Sequence, residues 1–516
     1  MIRIPNIDAG LLAGETPEMP MHTMGVLLLG KPPHPVYERL RSALAARLHL
    51  IEPFRRRVIE GPLRIAEPQW LEDPDFDLDN HLRRAALPAP GGMRELEAFA
   101  GEVAEQLLDR SRPLWEMVVV EGLRGGGVAL IVKVHHAAMD GVRLVQLMDV
   151  LLDPSPRGRP GESAPDEWVA DAEPSLGAMA LADARSLLLR PLQALRTVGE
   201  IGGSLLRART AGTAGTAAAR APAAADAPRV FAAPAIPLNG RVSRRRAVAM
   251  ADVAFADVRA IADAFDTTVN DVVLAASAAA LRAWLLARNA LPAEDPIATV
   301  PVTVRQEGAG DAGVGNRVSM ILARLPVHET DPVARLRTIN AATSRAKQEH
   351  RSRGSDVFRQ TADLLLSVAT PGMWSTLFTT YSASTLPDRL PVPWNLVVSN
   401  LPGPRQALYC AGARVQRIYP FGPLQLGSGL NLTVMSAGDR LCLGALACRR
   451  RVPDVRLIAD TFVAEIARLR RLAPAQRARG RVAAASVSAR PRAKGSSTSG
   501  SRSSRSRPAR KGSARS

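Results

Sequence analysis

The chain has 516 residues, 46% apolar and 22% charged, a balance that indicates a folded globular protein rather than a disordered or fibrous one. Lys and Arg number 67 against 49 Asp and Glu, but ten of these cations lie in residues 481–516, which contain no acid, so the remainder carries only about +8. Three cysteines without C-x-x-C spacing exclude a disulfide framework and a cysteine-based structural zinc site.

The N-terminus does not have the pattern of a signal peptide, because Asp8 and Glu15 interrupt any apolar stretch before Pro20. No run reaches 18 uninterrupted apolar residues, the length that predicts a membrane-spanning helix. We therefore expect a soluble or membrane-surface protein.

Residues 1–170 are predicted to form a first domain of mixed α/β character. A helical apolar pattern begins at Tyr37, and residues 115–121 and 128–134 are typical of buried strands. At roughly 150 residues per domain, the whole chain has room for two or three such units.

Residues 171–239 are predicted to connect two domains. Within them, residues 175–209 carry leucines at helical spacing among arginines, which predicts a basic amphipathic helix. Such a helix favours anionic membrane surfaces, although a solvated helix covering the core fits the same pattern. The Ala/Pro-rich residues 210–235 are typical of a linker.

Residues 240–475 are predicted to form a second α/β domain, with a long helix from Val269 and strands near 298–304 and 317–325. A G-x-G-x-x-G match beginning at Gly308 precedes a strand pattern rather than a helix, and we interpret it as a loop. The basic Ser/Arg-rich residues 476–516 are predicted to be a disordered tail.

One motif stands out as a candidate for chemistry. The second strand runs into His135-His136-Ala-Ala-Met-Asp140-Gly141, and an apolar helix pattern follows. Adjacent residues at a strand end point to opposite faces, so one histidine can face a cleft while the other supports it. A neutral imidazole is well suited to accept a proton near neutral pH.

Other interpretations of this motif stay open from the residues alone. Both histidines could simply pack, and Asp140 could be an ordinary helix cap. A metal site is disfavoured, because adjacent strand residues diverge and no further ligand cluster of suitable spacing is evident.

The motif resembles the active-site motif of the chloramphenicol-acetyltransferase-like superfamily, and other segments narrow the resemblance to the bacterial wax ester synthase/acyl-CoA:diacylglycerol acyltransferases. The resemblance covers about residues 1–472. The segments that carry it, besides the histidine motif, are Asp8 to His22, Pro113-Leu114-Trp115, Thr268 to Ala275, Gly315 to Ser319, Val398 to Pro404 and Gly429 to Ser436.

The resemblance implies an α/β (α+β) fold with two chloramphenicol-acetyltransferase-like sandwich domains around a central active-site tunnel. It implies that His136 is the general base, that His135 supports it, and that Asp140 is structural, with Arg305 as its suggested partner. Gly141 would leave room for the substrate. The two positions that would line or shape the reaction chamber, and so bind substrate, are Glu15 and Asn270.

The implied activity is transfer of a long-chain acyl group from acyl-CoA to diacylglycerol, to a long-chain alcohol, or to both. Acyl-CoA would be a substrate, and no cofactor or metal is expected. The implied location is cytoplasmic, on the inner membrane surface or on lipid inclusions, with no specific nucleic-acid partner. Two alternatives stay open: an acyltransferase of the same fold with another donor and acceptor, as in condensation enzymes, and a non-catalytic lipid-inclusion binding protein.

Overall fold

The computed structural model describes residues 2–139, 141–159, 171–190, 231–303, 318–353 and 369–488. Within these ranges, helices and strands alternate along both halves of the chain. The helices are α1 (Asn6–Gly14), α2 (Val36–Arg47), α3 (Met93–Glu105), α4 (Gly141–Leu151), α5 (Phe255–Phe265), α6 (Val269–Leu286), α7 (Pro332–Arg353), α8 (Pro371–Ala383), α9 (Val455–Ser488) and a further helix over residues 176–190.

The strands form one small sheet and two large ones. They are β1 (Ile2–Arg3), β2 (His22–Leu29), β3 (Arg56–Ile59), β4 (Gln69–Glu72), β5 (Leu82–Ala86), β6 (Trp115–Glu121), β7 (Val128–His135), β8 (Arg246–Ala254), β9 (Ile297–Thr303), β10 (Val318–Arg324), β11 (Leu396–Pro402), β12 (Tyr409–Cys410), β13 (Ala413–Phe421), β14 (Leu430–Ala437) and β15 (Arg440–Cys448). The small sheet has the order β1-β4-β3.

Each large sheet has six strands. The first has the order β12-β13-β2-β7-β6-β5 and the second has the order β10-β9-β11-β14-β15-β8. Helices α5, α6 and α9 share an apolar core with the second sheet, while α2 and α4 share one with the first. A third apolar cluster lies between the sheets and contains side chains from both halves, such as Met24 and Leu446. The mixed α/β class and the two-unit architecture predicted from the sequence are therefore confirmed.

Two strands cross between the halves. Although β12 and β13 belong to the second half of the sequence, β13 pairs antiparallel with β2, matching Phe421 with Met24. Sequence patterning predicted residues 240–475 as one domain and did not anticipate this exchange, because long-range strand pairing leaves no local signal. Gly444 on β15 makes the crossing possible, since a Cβ at this position would collide with the carbonyl oxygen of Pro420 on β13.

Helix α3 of the first half covers the edge strand β8 of the second. The Glu97 carboxylate accepts a hydrogen bond from the amide of Met250 at 2.7 Å, and that of Glu105 accepts one from the amide of Arg246 at 3.0 Å. Both amides belong to a sheet edge, where backbone donors need a partner when they are buried. The two carboxylates thus join the halves through backbone contacts.

Several predicted elements are confirmed, and one helix extends past a predicted boundary. The strand over 115–121 and the helix from Val269 are found with nearly the predicted bounds. Helix α9 continues to Ser488, beyond the predicted start of the disordered tail at 476. The physical reason is composition, since Ala and Arg, which dominate this stretch, are among the best helix formers. The linker over 210–235 lies outside the described residues except for 231–235.

Among the described helices, α6 has the length and apolar composition that could cross a membrane. Its apolar stretch is 72% buried inside the protein. The capping box formed by Thr268 and Asp271 begins this helix and fixes it in the core of the second half.

Candidate active site

The histidine loop, residues 135–141, joins β7 to α4. His135 is the last residue of β7 and is fully buried, whereas His136 is half-buried, as expected for neighbours that point to opposite sides. Helix α4 begins at Gly141. Asp140 and its suggested partner Arg305 lie outside the described residues, so their roles stay predictions.

Backbone hydrogen bonds hold this loop on both sides. The amide of His135 donates to the carbonyl oxygen of Leu114 at 2.9 Å, and the amide of His136 donates to that of Met21 at 2.8 Å. The amides of Ala138 and Met139 both donate hydrogen bonds to the carbonyl oxygen of His135. The backbone of the loop is therefore fixed beside the starts of β2 and β6.

The Pro113-Leu114-Trp115 segment contributes to this support. The Trp115 ring stacks between Phe54 and His81, with ring centroids 4.2 Å and 4.5 Å away, and its indole N–H donates to the carbonyl oxygen of Phe54 at 2.9 Å. Because Leu114 accepts the bond from His135, the stacked tryptophan holds the strand end that carries the histidines.

The orientation of the His135 ring follows from two contacts. Its Nδ1 accepts a hydrogen bond from the amide of Ala137 at 3.1 Å, so the proton of the neutral ring lies on Nε2. That Nε2 lies 3.4 Å from Oε1 of Glu15. The Ala137 amide thus fixes the tautomer, and the buried Nε2 lies close to a buried carboxylate.

Glu15 is the centre of this buried network, with only 3% of its side chain exposed. Its Oε1 accepts a hydrogen bond from the Met21 amide at 3.1 Å, and its Oε2 lies 3.1 Å from a guanidinium nitrogen of Arg110. Burial alone would raise the pKa of this carboxyl, but the contacts with His135, Arg110 and Met21 outweigh it and lower the pKa to about 2. Glu15 is therefore charged at neutral pH.

Glu15 is linked to His136 through the backbone of Met21. Its carboxylate holds the Met21 amide, and the carbonyl oxygen of the same Met21 accepts the bond from the His136 amide. The sequence predicted Glu15 as a substrate-binding residue. In the structure its carboxylate oxygens contact protein groups, which favours a positioning role; its part in substrate binding stays a prediction.

Two further buried bases lie next to the histidines on the same sheet. His22 pairs with His135 across β2 and β7, and burial, together with Lys133, lowers its pKa well below the usual range. Burial also lowers the pKa of Lys133, whose Nζ lies 2.6 Å from Glu116 and donates to two carbonyl oxygens of the α3 end. His22 is therefore neutral at pH 7 and adds no charge beside His135.

Sequence reasoning missed Arg110 and Lys133. Nothing in the sequence separates either from the other cations, of which there are 67. The one available signal was the position of Lys133 within an otherwise apolar strand, since a buried lysine needs a carboxylate partner.

A cavity of about 320 Å³ lies beside the histidine loop. Ala137, Ala138 and Met139, which directly follow His136, form one wall. The remaining lining comes from α1, α4, residues 50–56 and Trp70, and its polar members include Asp8 and Arg143. The volume lies at the lower end of the range for small-molecule sites, and its mostly apolar wall suits part of an acyl chain.

The structure does not place Asn270 among the residues that line this cavity. Asn270 occupies the first turn of α6 in the second half and is half-buried. Its neighbour Asp271 is fully buried and binds Thr343 at 2.6 Å and Asn340 at 2.9 Å. The Asn-Asp pair thus begins a core helix, and a role for Asn270 in substrate binding stays a prediction.

Metal ligands and cysteines give no second site within the described parts of the chain. These residues contain no group of three or more His, Cys, Asp or Glu side chains that could hold a metal ion. The cysteines Cys410, Cys442 and Cys448 are all buried and unpaired by disulfides. The histidine loop is therefore the strongest candidate for chemistry.

Family profiles and similar proteins point to one family. The family profile "Wax ester synthase/diacylglycerol acyltransferase catalytic domain" matches residues 4–273, and the profile "WS/DGAT C-terminal domain" matches residues 314–470. A Mycobacterium tuberculosis protein named as a diacylglycerol O-acyltransferase is 34% identical over 473 residues, covering 90% of this chain and 89% of that protein. "O-acyltransferase WSD" of Acinetobacter baylyi is 32% identical over 471 residues, covering 89% and 95%.

Two solved structures have a fold similar to that of this chain. The wax ester synthase/diacylglycerol acyltransferase from Marinobacter aquaeolei VT8 superposes with a TM-score of 0.64 at 28% identity, covering 92% of this chain and all of that chain. The first condensation domain of the calcium-dependent antibiotic synthetase, at 17% identity and a TM-score of 0.52, covers 91% and 94% and shares the fold. With both profiles matched in order and relatives aligned over nine-tenths of its length, the chain belongs to the wax ester synthase/diacylglycerol acyltransferase family.

Proposed function

We propose that this chain transfers a long-chain acyl group from acyl-CoA to the hydroxyl of diacylglycerol, of a long-chain alcohol, or of both, with His136 as general base. The observation that carries the proposal is the histidine loop, held by Glu15, Met21 and Leu114 in a chain that belongs to this family. His136 is the half-buried member of the pair, and the three residues that follow it, though not His136 itself, line the cavity.

The proposed reaction is a direct transfer. His136 accepts the proton of the acceptor hydroxyl while the oxygen attacks the thioester carbonyl carbon, giving a tetrahedral oxyanion. That intermediate collapses to the ester as the carbon–sulfur bond breaks, and the imidazolium returns its proton to the CoA thiolate. General-base assistance of this kind contributes about 10²–10⁴-fold, and the rest comes from positioning and oxyanion stabilisation.

The buried partners have a separate part in this proposal. His135 and Glu15 keep the loop backbone in place and do not exchange protons with substrate. Asp140 would hold the start of α4, and Gly141 would leave space for the substrate. Acyl-CoA is consumed as a substrate, and we propose neither a cofactor nor a metal ion.

We also propose a peripheral location, on the inner membrane surface or on lipid inclusions in the cytoplasm. The argument is chemical, because the proposed acceptors and products are insoluble in water. A formal net charge of +18 favours anionic surfaces.

The test is CoA release by the purified full-length chain, given palmitoyl-CoA and either dioleoylglycerol or hexadecanol, with analysis of the lipid product. We expect ester with at least one acceptor, and a loss of at least about 100-fold in His136→Ala. His34, which is exposed, gives a matched control, and His34→Ala is expected to keep the wild-type rate. Equal rates for wild type and His136→Ala would contradict the proposal.

A further inference from the structure

The helix over residues 176–190 is attached to the protein through its polar residues. Asp183 is fully buried, and its carboxylate accepts hydrogen bonds from the amides of Leu63, Ile65 and Ala66 at 2.8–3.1 Å. Arg190, seven residues on, is also buried and donates to the carbonyl oxygens of Ile65 and Ala369. The inward face of this helix is thus hydrophilic and held by hydrogen bonds.

The outward face of the same helix is apolar. Leu181 is 71% exposed and Leu188 is 76% exposed, and these two leucines are also seven residues apart. Leu181 lies two residues before the buried Asp183, and Leu188 lies two residues before the buried Arg190. This spacing places each leucine on the opposite side of the helix from the buried residue. A helix on the surface of a soluble protein normally has the reverse arrangement, with its apolar stripe against the core.

Neighbouring elements extend this apolar surface. Residues 61–66 lie between the helix and α8, because the amide of Gly372 donates to the carbonyl oxygen of Arg64 at 3.0 Å. Leu63 is 67% exposed, and α8 exposes Met373 and Leu377 by 61% and 55%. We call these five side chains, Leu63, Leu181, Leu188, Met373 and Leu377, the leucine surface. An exposed apolar region drawn from three separate segments marks an interaction site.

The charges around the leucine surface indicate the kind of partner. Among the described residues, the acids Glu60 and Glu67 on either side of residues 61–66 are paired with Arg64 and Arg3. Arg185, on the 176–190 helix between Leu181 and Leu188, is exposed and forms no ion pair within the same residues. Exposed leucines with an uncompensated arginine among them are complementary to anionic lipid headgroups above an acyl layer.

Helix α8, which carries part of the leucine surface, is connected through α1 to the cavity beside the histidine loop. Helix α1 packs against α8, where Phe378 closely approaches Gly14. The same α1 carries Asp8 into the wall of the cavity beside the histidine loop. Helix α1 therefore contacts both α8, which carries two of the exposed apolar side chains, and the wall of this cavity.

We propose that the leucine surface docks on anionic phospholipid, with the 176–190 helix lying in the plane of the headgroups. The proposal rests on the proposed function for the water-insoluble acceptor, but docking itself is measured without catalysis. Leu181 and Leu188 enter the boundary between headgroups and acyl chains, and Arg185 contacts lipid phosphates. Asp183 and Arg190 keep the helix on the protein while its leucines are in lipid.

The test is co-sedimentation of the full-length protein with vesicles of phosphatidylcholine, with and without phosphatidylglycerol. Leu181→Ser/Leu188→Ser is expected to weaken partition onto the mixed vesicles at least about tenfold, since two buried leucines are lost from the lipid. Arg185→Glu is expected to weaken it at least about fivefold on the anionic vesicles and little on pure phosphatidylcholine. The matched control is Leu286→Ser/Leu457→Ser, which alters two leucines that are exposed elsewhere, on α6 and α9, and it should bind as wild type.

Three results would overturn the proposal. The first is wild-type protein that does not sediment with anionic vesicles. The second is an equal loss of vesicle binding in the Leu286→Ser/Leu457→Ser control. The third is a wild-type oligomer that dissociates in the Leu181→Ser/Leu188→Ser variant while vesicle binding stays unchanged. CoA release with a soluble short-chain alcohol separates the two proposals. If no ester forms with any donor or acceptor but sedimentation still depends on Leu181 and Leu188, the proposed function fails and the docking surface stands.

Discussion

Two buried carboxylates hold two very different parts of this protein. Glu15 holds the histidine loop through Met21 just before β2, His135 at the end of β7, and Arg110 in the loop after α3. Asp183 holds residues 63–66 against the 176–190 helix, whose other face is exposed leucine. In both regions a carboxylate accepts hydrogen bonds from backbone amides. The Glu15 contact fixes the histidine loop inside the protein, whereas the Asp183 contacts fix a helix that exposes an apolar surface.

The difference between these regions predicts different consequences when the carboxylate is lost. Loss of Glu15 leaves Arg110 and His135 without their buried partner, while loss of Asp183 frees a surface helix and a loop. The first should affect the whole fold and catalysis, and the second should stay local.

The largest effect is expected for Glu15→Ala. Removing one member of a buried ion pair costs about 3–5 kcal/mol, because the other charge is left uncompensated. We expect that loss in the free energy of unfolding, measured with denaturant, and a lower kcat with little change in KM for palmitoyl-CoA. Glu15→Gln, which keeps the shape, should recover part of kcat. An unchanged kcat in folded Glu15→Ala would contradict a positioning role.

The acid dependence of stability should also depend on Glu15. The pKa of this carboxyl is about 2 in the folded protein, against an ordinary value of 4.5 that we take for the unfolded chain. As the pH falls, the unfolded chain therefore binds the proton first. The stabilisation is complete above about pH 4.5 and is lost as the pH falls towards 2, with a size on the order of 3 kcal/mol. Denaturant unfolding at stepped pH should show a weaker decline in Glu15→Gln over this window. Parallel declines in both proteins would contradict this account.

A smaller and local effect is expected for Asp183→Ala. The amides of Leu63, Ile65 and Ala66 lose a charged acceptor, at a cost of about 2 kcal/mol. Hydrogen exchange should show roughly thirtyfold lower protection at these three amides, with β7 unaffected. Protection lost equally in β7 would show that the helix is part of the main cooperative unit.

Local sequence patterns predicted the position of the histidine loop. The apolar run of β7 and the helical spacing after Gly141 depend on neighbours in sequence, so these patterns were sufficient to place His135 and His136 at a strand end. The opposite facing of the two histidines followed from strand geometry in the same way.

Partners that are distant in sequence could not be predicted. Arg110 contacts Glu15 across 95 residues, and β13 pairs with β2 across about three quarters of the chain. Residues 175–209 were predicted as a basic amphipathic helix, but the periodicity did not show that Asp183 and Arg190 are buried while Leu181 and Leu188 are exposed. Periodicity identifies two faces of a helix, whereas only tertiary contacts decide which of them is turned inward.

The most direct test of the central claim compares the two regions in one assay. CoA release from palmitoyl-CoA with a soluble short-chain alcohol, without vesicles, is measured for His136→Ala and for Leu181→Ser/Leu188→Ser. The account predicts a loss of at least about 100-fold in the first variant and a rate within about twofold of wild type in the second. A wild-type rate in His136→Ala, or an equal loss in the leucine variant, would contradict the assignment of chemistry to the loop and docking to the helix.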